Sequence, residues 1–138
     1  VLTAPAATSR AEYIENQVLQ LVEVFGSKPE WIDEPYLRDR AGRAFDRCFY
    51  PAGTMRQFLA IGMDGDRSEA LRNVRVPTLV IHGDRDTLID PSGGRRTAEL
   101  IPDAQYVEIE GMGHDYPSVL WDRWVEVWSS FVKNAGCR

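Results

Sequence analysis

The sequence predicts an α/β fold in which a helical first half leads into the last strand–helix–strand–helix of a mostly parallel sheet. Three observations carry this. Apolar residues recur at helical spacing through the first half. The pattern breaks at Val76-Pro77, where "TLVI" is short, largely β-branched and apolar throughout, as a strand covered on both faces should be. Two apolar runs then end in unusual loops, "HGDRDTLIDP" and "EGMGHDYP". The division falls between residues 1–74, a helical segment, and residues 75–138, the sheet-forming segment.

The helices are signalled one by one. Ser9 and Glu12 fit a capping box, after which Ile14, Val18, Leu21, Val22 and Phe25 share one face. Gly26 and Pro29 mark the stop. A second helix should open at Asp33, with Pro35 in its first turn and Leu37, Ala41, Ala44, Phe45 and Cys48 on its inner face. Its opposite face carries both charge signs and reads as solvated. A third helix, from about Pro51, would turn Met55, Phe58, Leu59 and Met63 inward. "DGDR" at Asp64–Arg67 ends it; it lacks the distal glutamate and other ligands of a calcium loop and is read as a turn, with Ser68 capping a short helix.

Beyond the first strand, Asp90-Pro91 is an N-cap and N1 pair for a helix to about Ile101. "QYVEIE" alternates as a strand with one wetter face. The last helix has Leu120, Trp124, Val127, Trp128 and Phe131 as its inner stripe. This order is that of a right-handed βαβ unit. Two strands are few for a stable parallel sheet, so the segment reads as the end of a larger one. The opening stretch, "VLTAPAATSR", reads like a linker.

Composition narrows the function classes. With 43% hydrophobic and 27% charged residues the chain is globular, and 138 residues suit one ordinary domain. A net charge of −5 argues against a nucleic-acid surface or an acidic-membrane surface. No apolar run reaches the roughly 18 residues of a membrane span. Cys48 and Cys137 are read as free thiols in a reducing compartment, which points to a cytoplasmic location.

The chemistry gathers in the two loops, because function in an open parallel sheet collects beyond the carboxyl ends of its strands. Asp86 and His114 are 28 residues apart, room for a loop, a helix of about three turns and a strand. If the strands are neighbours, Asp86 can fix the tautomer of His114 and stabilise its imidazolium, an orienter and a general base. Asp84 sits closer to the strand and reads as a turn residue, Asp90 as a cap, and His82 as a buried, hydrogen-bonded structural group. Asp115 would cap or brace the last helix. A metal held by His82, Asp84, Asp86 and His114 is the weaker reading, since no tight H-x-H or H-x₃-H spacing occurs.

"VPTLVIHGDRDTLIDP" and "YVEIEGMGHDYP" together resemble the carboxyl-terminal third of the α/β-hydrolase superfamily. "AEYIENQ", "RAFDRCFYPAG" and "GDRSEALRNVRVPTLVIHG" resemble the cap, and the return to the sheet, of aclacinomycin methyl esterase-type esterases. The resemblance implies a partial α/β-hydrolase fold, with Asp86 as the triad acid, His114 as the triad base, no cofactor, no metal and a small ester substrate. The nucleophile elbow G-x-S-x-G is missing: none of Ser9, Ser27, Ser68, Ser92, Ser118, Ser129 and Ser130 has glycine at both −2 and +2. A serine at that elbow gives an ester hydrolase; an aspartate there gives an epoxide hydrolase or dehalogenase. A third reading is a non-catalytic piece that associates with itself or with the missing amino-terminal part of the sheet. Trp31, Phe45, Phe49, Tyr50, Met55 and Phe58 weakly suggest an apolar substrate, although packing between helices explains each of them as well.

Overall fold

The computed structural model describes residues 6–136. Cys137, half of the thiol reading, and the side chain of Phe25 lie outside the described residues.

Helix α1 runs Arg10–Leu19 behind Ser9, whose hydroxyl accepts the Glu12 amide at 3.2 Å. The box is shifted by one residue from the expected one, because Glu12 turns its carboxylate onto the amide and hydroxyl of Thr8, both at 2.7 Å. The chain then widens into a π-helical segment, Gln20–Phe25. A wider turn rotates the apolar face. Val18 and Leu21 are buried, but Val22, expected beside them, is exposed. Gly26 is not a left-handed cap: its φ is −77°, and a Cβ there would stand 1.8 Å from the Leu21 carbonyl oxygen. The glycine serves a close approach of backbone to backbone.

Helix α2 spans Glu34–Arg47 with Asp33 as its N-cap, accepting the Tyr36 amide at 3.0 Å. It packs along α1, where Leu37 joins Val18 and Leu21 in a small core edged by Ile14, Ile32 and Leu88. Phe45 stacks on Phe49 at 4.6 Å between ring centres, and Tyr13 of α1 lies against both, so these rings tie helices together. Helix α3, Pro51–Asp64, departs from expectation. Met55, Phe58, Leu59 and Met63 do not point inward but are exposed, with Met63 at 85%, because among the described residues no other element packs substantially on α3. The short helix α4, Ser68–Leu71, follows a turn in which Asp66 accepts both the amide and the hydroxyl of Ser68.

Strand β1, Leu79–Gly83, and strand β2, Gln105–Ile109, pair in parallel, with helix α5, Pro91–Leu100, as the crossover between them. Asp90 caps α5 by accepting the Ser92 amide at 2.9 Å. Register runs from Leu79 opposite Gln105 to Gly83 opposite Ile109, so both strands end at the same level and their loops emerge side by side. Arg95 of α5 is ion-paired with Glu108 of β2, which also accepts the Tyr106 hydroxyl. Helix α6, Trp121–Asn134, buries Trp124 and Val127; Trp128, assigned to the same stripe, is 51% exposed. Ile109, Met112 and Trp124 form the second core, edged by Ile81, Val107 and Leu120. No helix among the described residues is long and apolar enough to cross a membrane.

The end of β1 nearly touches the loop after β2 at Gly83, where a Cβ would lie 2.1 Å from the Met112 carbonyl oxygen. Replacing Gly83 with alanine must push the two loops apart. Gly83→Ala should lower stability by about 1–3 kcal/mol in urea unfolding; a variant as stable as the parent would show that this backbone contact is not formed.

Candidate active site

The two loops are sewn together by hydrogen bonds near their bases. The Arg85 amide donates to the Met112 carbonyl at 2.9 Å, and the Gly111 amide donates to Asp84 Oδ1 at 2.6 Å. Asp84 is therefore occupied in holding the second loop. Gly111 has φ +83°, a left-handed conformation that a side chain would strain, and the methylenes of Lys28 cover it.

Asp86 sits in this junction, 7% exposed. Its Oδ1 accepts the amides of Leu88 and Ile89 at 3.0 and 2.9 Å, a turn that the carboxylate closes on its own chain. Its Oδ2 lies 2.7 Å from His114 Nδ1. An ionised carboxylate only accepts, so this nitrogen carries the proton and Nε2 is the basic atom of the ring. Burial alone pushes the Asp86 carboxyl up, but the Ile89 amide, His114 and the Leu88 amide outweigh it and hold the group below the usual carboxylate range. The His114 side chain is 44% exposed, at the rim, while its carboxylate partner is 5% exposed.

His82 approaches the same oxygen from the strand. Its Nε2 lies 2.9 Å from the Ile89 carbonyl and 3.2 Å from Asp86 Oδ2, so Nε2–H donates and the ring is a structural brace. Gly94 of α5 leaves room for its Nδ1, which would stand 2.4 Å from a Cβ. Asp115 does not cap α6, which has no side-chain cap; its carboxylate instead takes the amide and the hydroxyl of Ser27. That contact spans 88 positions, and nothing in local spacing announces it. A cavity of about 130 Å³ lies over the pair, walled by Ile81, Met112, Tyr116 and Trp124. Trp31, Phe45 and Phe58 do not border it. His82, Asp84, Asp86 and His114 do not form a metal-binding group, and among the described residues no three His, Cys, Asp or Glu side chains do.

Residues 23–116 match the family model described as the alpha/beta hydrolase fold. Over 59 residues the chain is 37% identical to the non-heme chloroperoxidase CPO-A1 of Kitasatospora aureofaciens, covering 42% of this chain and 22% of that protein. It is 35% identical over 49 residues to lipase 1 of Psychrobacter immobilis, covering 36% of this chain and 16% of that one. Among solved structures, a bromoperoxidase from Bacillus anthracis superposes with a TM-score of 0.68 at 22% identity, over 87% of this chain and 44% of that chain. A meta-cleavage product hydrolase from Pseudomonas fluorescens IP01 gives 0.66 at 22% identity, over 98% and 48%. The structural matches speak for the fold alone. The chain spans less than half the length of each of these relatives.

The lowered Asp86 value fixes a sign. Its stabilising contribution is fully present above the ordinary carboxyl range, near pH 4, and is lost as pH falls through the lower folded value. Urea midpoints measured from neutral to acid pH should fall less steeply for Asp86→Asn than for the parent. Parallel acid limbs would mean that Asp86 is not held ionised by these donors.

Proposed function

The chain belongs to the α/β-hydrolase fold family, and on that premise we propose that it contributes the acid and the base of a serine ester hydrolase. One observation carries the reading: His114 Nδ1 and Asp86 Oδ2 are 2.7 Å apart in the loops beyond two adjacent parallel strands. The nucleophile would come from a G-x-S-x-G elbow outside these 138 residues.

In that reading His114 Nε2 takes the proton from the serine hydroxyl as its oxygen attacks the ester carbonyl carbon. Asp86 holds the ring and offsets the charge of the imidazolium. The imidazolium then gives its proton to the departing alkoxide, leaving an acyl-enzyme. Water repeats the cycle: His114 takes its proton, the hydroxide oxygen adds to the acyl carbon, and the serine leaves with the proton back on its oxygen. No cofactor takes part. The lipase among the relatives, and the apolar walls of the cavity beside the pair, support an apolar ester as substrate. The methyl esterase subgroup is the form of this reading that the quoted helical segments favour.

The rest of such an enzyme needs somewhere to pack. Among the described residues the sheet has two strands, each with one edge unpaired, and α3 carries exposed Phe58, Leu59, Ile61 and Met63. Both features support a partner surface, either the remainder of the hydrolase or a second copy.

Treating the complete polypeptide with a fluorophosphonate and measuring intact mass should give one adduct, on a serine outside these residues. His114→Ala and Asp86→Asn should each lower kcat for an activated ester by about ten-thousand-fold. The 138-residue stretch by itself should show no adduct and no turnover. Full turnover in His114→Ala would end the reading; turnover without any adduct would replace the serine by an aspartate.

A further inference from the structure

Ser27 is 3% exposed, yet it carries a hydroxyl and lies in the helical half of the chain, far in sequence from the loops it touches. Its hydroxyl and its amide are both used. The hydroxyl donates to Asp115 Oδ1 at 2.5 Å and accepts the Gly113 amide at 2.9 Å, and the Ser27 amide donates to the same Asp115 oxygen at 3.0 Å. Gly113 and Asp115 are the residues on either side of His114. Both are buried, although His114 itself is exposed. One buried serine thus grips the backbone before the imidazole and the side chain after it.

We propose that Ser27 is a positioning residue for His114, acting through Gly113 and Asp115 to keep the ring against Asp86. The His114 loop needs such an anchor. It contains two glycines, Gly111 and Gly113, and its functional side chain has solvent on one side. The neighbouring Lys28 amide adds a third tie, to the Gly111 carbonyl at 2.8 Å. The same short stretch also reaches the other loop, because the Thr87 hydroxyl donates to the Val24 carbonyl at 2.6 Å, one residue beyond Asp86. Residues 24–28 therefore touch both loops that carry the pair, and a shift of this elbow moves His114 relative to Asp86. Ser27 is no nucleophile in this arrangement, since its proton is committed to Asp115.

The catalytic consequence rests on the function proposed above: in a working hydrolase, misplacing His114 by about 1 Å lowers kcat about a hundredfold. The geometric claim can be tested without activity. The chain has two histidines, so long-range proton–nitrogen correlation of the ¹⁵N-labelled 138-residue chain, at a pH where both rings are neutral, reads each tautomer separately. In the parent, His114 should show the Nδ1–H pattern and His82 the Nε2–H pattern. Ser27→Ala should cost His114 its Nδ1–H pattern and leave His82 unchanged, whereas Ser27→Thr, which keeps the hydroxyl, should retain the parent pattern. Should Ser27→Ala fail to fold, Asp115→Asn weakens the same anchor without changing its shape and should shift His114 alone in the same direction.

An unchanged His114 in Ser27→Ala would overturn the proposal and leave the Asp86–His114 pair standing. Both histidines changing together would also overturn it, by showing that Ser27 only supports the fold. A parent chain without Nδ1–H at His114 would instead sink the pairing itself, and with it the proposed function.

Discussion

The Asp86 carboxylate is the point on which the described structure converges. One oxygen closes its own loop through two backbone amides, and the other holds His114 from the neighbouring loop, with His82 close by. A buried carboxylate is costly unless it is satisfied, and here its hydrogen bonds are strong enough to hold it ionised against burial. Removing any donor therefore affects more than one bond. The parallel register that ends both strands level, Gly83 at the contact with Met112, and Asp84 on the Gly111 amide all serve to bring that second loop within reach.

Around this polar junction the apolar packing is thin. Among the described residues, the small core between α1 and α2 and the one beneath β2 and α6 hold no large side chain that is completely buried. What joins the helical half to the sheet half is largely polar: Ser27 on Asp115 and Gly113, Lys28 on Gly111, and Thr87 on Val24, with Leu88 in the first core and the Tyr36–Trp121 ring contact as apolar contributions. Directional bonds fix geometry more tightly than apolar contact does, which suits a junction that must hold an imidazole against a carboxylate. The stability of the pair and the placement of the helices are thereby the same problem.

Much of this was legible in the sequence, for reasons that differ from element to element. Asp33 and Asp90 announced their helices because capping is local chemistry. The Asp86–His114 contact was legible because strand, helix and strand occupy a nearly fixed length, so two loops 28 residues apart emerge together. Other features were not. The π-helical segment changes the period that pattern reading assumes, which is why Val22 faces outward. The apolar stripe of α3 has the right spacing for a buried face, but spacing does not say what covers it. Asp115 looked like a helix brace because its true partner, Ser27, is 88 positions away.

Whether Asp86 and His114 act as one unit is best tested by a double-mutant cycle on ester hydrolysis by the complete polypeptide, comparing kcat/KM for the parent, Asp86→Asn, His114→Ala and the double variant. If Asp86 works only by orienting and charging His114, the double variant should be no slower than His114→Ala alone. Losses that multiply would show two independent groups and contradict the pairing on which the proposed chemistry depends.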